Sequence, residues 1–208
     1  SSHGLRERIC LCCLKLECSF ERVNQLDRLS QAVPNVTHPR ADIILLCALK
    51  TEARPLLRHL DLRHVQNEGA VAIYGARDLL LAVTGVGYQA AAVAASQLNA
   101  TCLPGTVFLN IGIAGAANRS IGTPLLAHEI IDGATGQRHY PAFPFRPPCD
   151  TSTLVTVAEP VENYASECTY DMEASAYFEI LDRSCELVHA LKIVSDGSSD
   201  EGKALTAA

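Results

Sequence analysis

Apolar residues fall in short, dense blocks along this chain, and each block is bounded by glycine, proline or polar residues. The first block of this kind, Ile43-Ile44-Leu45-Leu46-Cys47-Ala48, is too short for a buried helix and rich in branched residues, so it predicts a buried strand over 43–48. Thr51 is placed to cap a helix over 52–60. The blocks at 71–74 and 79–83 predict two strands, and Gly75-Ala76-Arg77-Asp78 between them predicts a hairpin turn. Gly85-Val86-Gly87 opens an alanine-rich helix over 88–98. A further buried strand at 107–111 runs into a glycine turn, Gly112-Ile113-Ala114-Gly115-Ala116. Strands follow at 125–131, 154–157 and 191–194, with a helix over 171–181. Four prolines, Pro141, Pro144, Pro147 and Pro148, mark 133–152 as a loop. Strands alternating with helices predict an α/β sandwich around a mixed, mostly buried sheet.

Ahead of this core, residues 5–33 read as one or two helices, and Pro34 and Pro39 make 34–40 a linker. The expected organisation is therefore an N-terminal helical extension and linker over 1–40 and one α/β domain over 41–208. A chain of 208 residues is long enough for one sizeable core. With 48% hydrophobic and 19% charged residues it belongs with globular rather than disordered chains. A net charge of −6 without a basic cluster argues against a nucleic-acid polymer as partner, while leaving a nucleotide-sized ligand open. No apolar run is long enough to span a bilayer, and no clean signal peptide follows Ser1-Ser2-His3-Gly4. The nine cysteines are odd in number and mostly scattered, which suits a reducing, cytoplasmic setting. Cys10, Cys12, Cys13 and Cys18 are denser, but their spacing is not that of a zinc knuckle and no histidine is paired with them. They read as thiols on an apolar helix, and no metal is expected.

Three acids stand at the ends of apolar elements. Glu52 follows the first strand, Glu173 sits in an apolar helical stretch, and Asp196 closes the last strand. A carboxylate in such a place must be solvated, paired or used. Singly, each has an ordinary explanation: Glu52 in a first helical turn, Asp196 as a cap, Glu173 facing water. Together with glycine turns at neighbouring strand ends they point to one shared pocket. Gly85-Val86-Gly87 alone is a weak ligand signal, because Ala90 breaks the dinucleotide fingerprint. The turn at 112–115 holds no Arg, Lys or Ser, which a phosphate pocket would want.

Four segments then resemble the nucleoside phosphorylase superfamily, and most closely its hydrolytic branch, the methylthioadenosine/S-adenosylhomocysteine nucleosidases. They are Ala48-Leu49-Lys50-Thr51-Glu52-Ala53, Asn110-Ile111-Gly112-Ile113-Ala114-Gly115, Asp171-Met172-Glu173-Ala174 and Val194-Ser195-Asp196, matched in order over about residues 42–203. The resemblance implies a three-layer sandwich with a mixed central sheet flanked by helices. It implies that Glu52 activates a water, that Glu173 grips the ribose hydroxyls with Met172 against the sugar, and that protonated Asp196 donates to the imidazole-ring nitrogen of a purine. Ser195 is the neighbour of that acid, and Ile113, Ala114, Gly115 and Val161 are implied substrate contacts. The chemistry is coherent. A purine leaves only if its developing negative charge is neutralised, and the sugar becomes oxocarbenium-like.

The same comparison bears on the nucleophile. Phosphorylases of this superfamily carry a Gly-Asp-Pro-x-Arg-type loop after the first strand and an arginine in the second turn. Lys50-Thr51-Glu52 and the arginine-free 112–115 turn stand there instead, which favours water. Arg54, close to Glu52, keeps phosphorolysis as the alternative, and a catalytically inactive nucleoside-binding module is a further one. The stretch 156–161 lacks the aromatic residue usual for base binding, the segment 132–153 is short and proline-rich, residues 5–40 have no counterpart, and the family's full C-terminal helix is not expected before Ala208. The resemblance implies a homodimer, a small-molecule nucleoside as partner and no cofactor.

Overall fold

The apolar block at Ile43 forms β1 (Ile43–Cys47), and its neighbours on both sides are parallel strands. The structure, a computed structural model, describes residues 41–99, 105–161, 164–165, 167–181 and 187–197. The expected extension, linker and cysteine cluster in 1–40, and the chain after Gly197, lie outside the described residues. After β1 come α1 (Lys50–His59), β2 (Arg63–Glu68), β3 (Val71–Ala76), β4 (Leu79–Val83) and α2 (Tyr88–Asn99). Then follow β5 (Val107–Ala116), β6 (Pro124–Asp132), β7 (Arg138–His139), β8 (Asp150–Thr156), β9 (Cys168–Asp171), α3 (Ala174–Leu181) and β10 (Leu187–Asp196).

The strands form one mixed sheet in the order β10-β6-β8-β9-β5-β1-β4-β3-β2, with β7 on β6. A second pairing joins β10 to β5, in parallel, from Leu187 opposite Val107 onward. The strands β5, β10, β6, β8 and β9 therefore close into a ring, while β1, β4, β3 and β2 continue as an open sheet.

Alternate residues of β1 face opposite sides, as pleating requires. Ile44 and Leu46 join one apolar cluster with Phe108, with Ala91, Ala94 and Ala95 of α2, and with Tyr177 and Phe178 of α3. Leu45 and Cys47 join another with Ala53 and Leu56 of α1, Ile111 and Leu191. Ala91, Ala94 and Ala95 of α2 are fully buried. The parallel strands β1, β4, β5 and β10 all run the same way, so their carboxyl ends meet along one edge.

Several expectations are corrected. Residues 112–116 are not a turn but the second half of β5, held between β10 and the short β9. Thr51 does not cap α1. The N-cap is Leu49, whose N–H donates to the Glu52 carboxylate, so the acid three positions on supplies the acceptor. The helix expected from 171 begins at Ala174, because Asp171 ends β9 and a bend holds Met172 and Glu173.

Candidate active site

Where those carboxyl ends meet lies a cavity of about 230 Å³. All nine residues singled out from the sequence line it: Glu52, Ile113, Ala114, Gly115, Val161, Met172, Glu173, Ser195 and Asp196. The first turn of α1 brings Glu52, the end of β5 brings 113–115, the bend before α3 brings Met172 and Glu173, and the end of β10 brings Ser195 and Asp196.

Glu52 is held by backbone. Its Oε2 accepts from the Leu49 N–H at 2.9 Å and its Oε1 from the Ile113 N–H at 3.1 Å. Two amide donors fix the carboxylate without a flexible side-chain partner. Gly112 leaves the room: a Cβ there would stand 3.0 Å from Glu52 Oε1 and 3.5 Å from Lys192 Nζ.

Glu173 is buried at 7% exposure and accepts from the Gly87 N–H at 2.8 Å. Burial pushes its carboxyl above the usual range, and the Lys192 charge offsets part of that rise. The glycine segment at 85–87 thus approaches the site through a backbone donor to a carboxylate.

Lys192 is one of the residues that sequence reasoning missed. It lies on β10 opposite Gly112, is buried, and its Nζ stands 2.8 Å from Asp171 Oδ2. Burial pulls its pKa down, but Asp171, Glu173 and Glu52 outweigh that and leave it raised, so the ammonium stays charged. Asp171 is further satisfied by the Thr156 hydroxyl at 2.7 Å and the Ala174 N–H at 2.9 Å. One buried cation therefore sits among three carboxylates. The signal in the sequence was a lone lysine inside the apolar run Leu191–Val194.

At the far end of the cavity both Asp196 oxygens accept hydrogen bonds. Ser195 Oγ donates to Oδ1 at 2.5 Å, and the Tyr164 hydroxyl donates to Oδ2. Stretch 156–161 holds no aromatic ring, but Tyr164 and Tyr170 both line the cavity, their ring centroids 5.4 Å apart. Tyr164 comes from the loop after β8, where spacing alone gave no reason to aim it inward. Arg54, the residue that kept phosphorolysis open, is exposed on α1 and does not line the cavity.

The profile of the Phosphorylase superfamily matches residues 42–165, and the chain belongs to that superfamily. Among solved structures it is similar to the 5'-methylthioadenosine/S-adenosylhomocysteine nucleosidase of Neisseria meningitidis in complex with methylthio-immucillin-A. The TM-score is 0.65 at 17% identity, covering 77% of this chain and 87% of that one. It is similar to the nucleosidase of Colwellia psychrerythraea in complex with adenine, with TM-score 0.65, 14% identity, and 77% and 84% covered. A futalosine hydrolase mutant of Helicobacter pylori shares the fold at TM-score 0.58 and 14% identity, with 77% and 87% covered. No curated protein sequence matches the chain. At these identities the solved structures establish a nucleoside phosphorylase-like α/β fold with a mixed sheet. Among the described residues no helix is long and apolar enough to cross a membrane.

Proposed function

We propose that this protein hydrolyses the N-glycosidic bond of a purine-type nucleoside, releasing free base and sugar. The observation that carries the reading is the placement of Glu52 and Asp196 in one cavity, with Glu173 between strand ends beside them. Glu52, pinned by two amides, is the general base that takes a proton from the attacking water. Glu173 receives the ribose hydroxyls and Met172 lies against the sugar. The carboxylates of Glu52 and Glu173 stabilise positive charge growing on the sugar ring. Lys192, paired with Asp171, keeps this group of acids from repelling one another apart. Asp196 enters the reaction protonated and gives its proton to the imidazole-ring nitrogen of the departing base, with Ser195 orienting the carboxyl.

Water as nucleophile is favoured over phosphate because the 112–115 stretch of β5, where phosphorylases carry an arginine, holds none, and because Arg54 is exposed and does not line the cavity. The same reading includes a three-layer arrangement, a single domain over 41–208, a homodimer, a small nucleoside as partner and a cytoplasmic location. Glu52→Gln and Asp196→Asn test it. Each is expected to lower base release by at least about a thousandfold with the native melting transition retained. Unchanged turnover in both variants would refute the assignment.

A further inference from the structure

Tyr164 stands at the base end of the cavity, and the acid expected to serve the base is what holds it there. Both oxygens of Asp196 already accept a hydrogen bond, one from Ser195 and one from Tyr164. In the proposed reaction the carboxyl gives its one O–H to a base nitrogen, which needs the space beside one of these oxygens. Ser195 is buried on β10 next to Asp196 in the chain and has little freedom to leave. Tyr164 is half-buried and comes from a loop. Its hydroxyl is the exchangeable one.

The ring also fills space. A Cβ built on Gly115 would stand 2.4 Å from Tyr164 Cζ and Oη and 2.6 Å from Cε1. The phenol thus lies against bare backbone of β5, in a slot that only glycine at 115 leaves open, with Tyr170 at its side. With the ring in place the cavity measures about 230 Å³. That is below the roughly 300 Å³ at which small-molecule sites begin. Burial first, and then the Asp196 carboxylate, push the phenol pKa well above its ordinary value, so Tyr164 remains an O–H donor across the physiological range.

We infer that Tyr164 is a specificity-determining residue that occupies part of the base subsite as an internal stand-in for the ligand, so that a purine binds by displacing its hydroxyl from Asp196. The inference rests on the reading of Asp196 as the acid that serves the base. Its consequence is selection by acceptor strength. A base with a strong ring-nitrogen acceptor replaces the lost Tyr164 bond, and a base that meets Asp196 with a carbon does not.

The test is equilibrium binding of adenine, hypoxanthine and guanine to the full chain and to Tyr164→Phe, both shown folded by their melting transitions. The phenylalanine variant keeps the ring and loses the bond that the ligand must break. It is expected to bind at least one of these bases about tenfold more tightly than the unmodified chain, about the net worth of one hydrogen bond. A second readout is spectroscopic. The chain has no tryptophan and six tyrosines, so near-ultraviolet difference spectra report tyrosine once the purine's own absorbance is removed by reference to the same base bound to Tyr164→Phe. Base binding should shift the band of one tyrosine as its hydroxyl leaves a carboxylate, a shift that Tyr164→Phe lacks. Equal affinity of the two proteins overturns the inference and leaves the base pocket standing. Failure of all three bases to bind either folded protein overturns the proposed function and the inference together.

Discussion

Lys192 and Asp171 form a buried ion pair at 2.8 Å, with side-chain exposures of 3% and 0%. The pair joins β10 to the end of β9, where Asp171 lines the cavity. Breaking such a pair from one side leaves an uncompensated buried charge. Lys192→Met is therefore expected to destabilise the fold by about 3–5 kcal/mol in urea denaturation. Asp171→Asn combined with Lys192→Met should recover part of that loss, because it removes both charges. A cost below about 1 kcal/mol for the single variant would show that the pair does not organise this region.

Gly112→Ala tests the crowding at Glu52 without touching a charge. The added methyl would meet Glu52 Oε1 at 3.0 Å, and the carboxylate, tied to two amides, has little room to give. Displacing a catalytic group by a fraction of an ångström to one ångström costs roughly tenfold to a hundredfold in rate. A fall of that size in kcat with a nearly unchanged melting temperature is expected. An unchanged kcat would mean that Glu52 is not positioned by this contact.

His189 should make stability depend on acid. Its imidazole is buried on β10, stacked on Phe143 at 5.6 Å and edge-on to Phe145 at 5.2 Å, and neither ring nitrogen has a hydrogen-bond partner among the described residues. Burial lowers its pKa from 6.5 to about 4. Between those values the unfolded chain binds a proton that the folded chain refuses, so stability falls as pH drops from 6.5 toward 4 and this contribution is exhausted below it. At about 1.4 kcal/mol per pH unit the loss amounts to up to about 3 kcal/mol. His189→Leu should flatten that part of a stability-against-pH curve. Identical slopes in the two proteins would contradict the assignment.

The parts of the fold that were legible in the sequence are those whose burial shows locally. Ile43–Cys47 is apolar throughout because both faces of β1 are covered, and Tyr88–Asn99 is recognisable from its alanines. Strand β2, Arg63–Glu68, was missed because it is a largely exposed, polar edge strand that only its pairing to β3 reveals. Gly112–Ala116 looked like a turn because glycine disfavours strands, yet pairing with β10 and β9 overrides that preference. In the site, the acids were visible because charge at the end of an apolar run stands out. Lys192 was hidden because its partners, Asp171, Glu173 and Glu52, come from other elements, and Tyr164 because only the folded loop aims it at Asp196.

The most direct measurement is chromatographic detection of base release from methylthioadenosine, S-adenosylhomocysteine, adenosine, inosine and guanosine, each with and without phosphate. Free base together with free sugar in phosphate-free buffer is the expected result for at least one of these nucleosides. Release that requires phosphate, or no release from any of the five by protein shown to be folded, would contradict hydrolysis at the Glu52–Asp196 cavity.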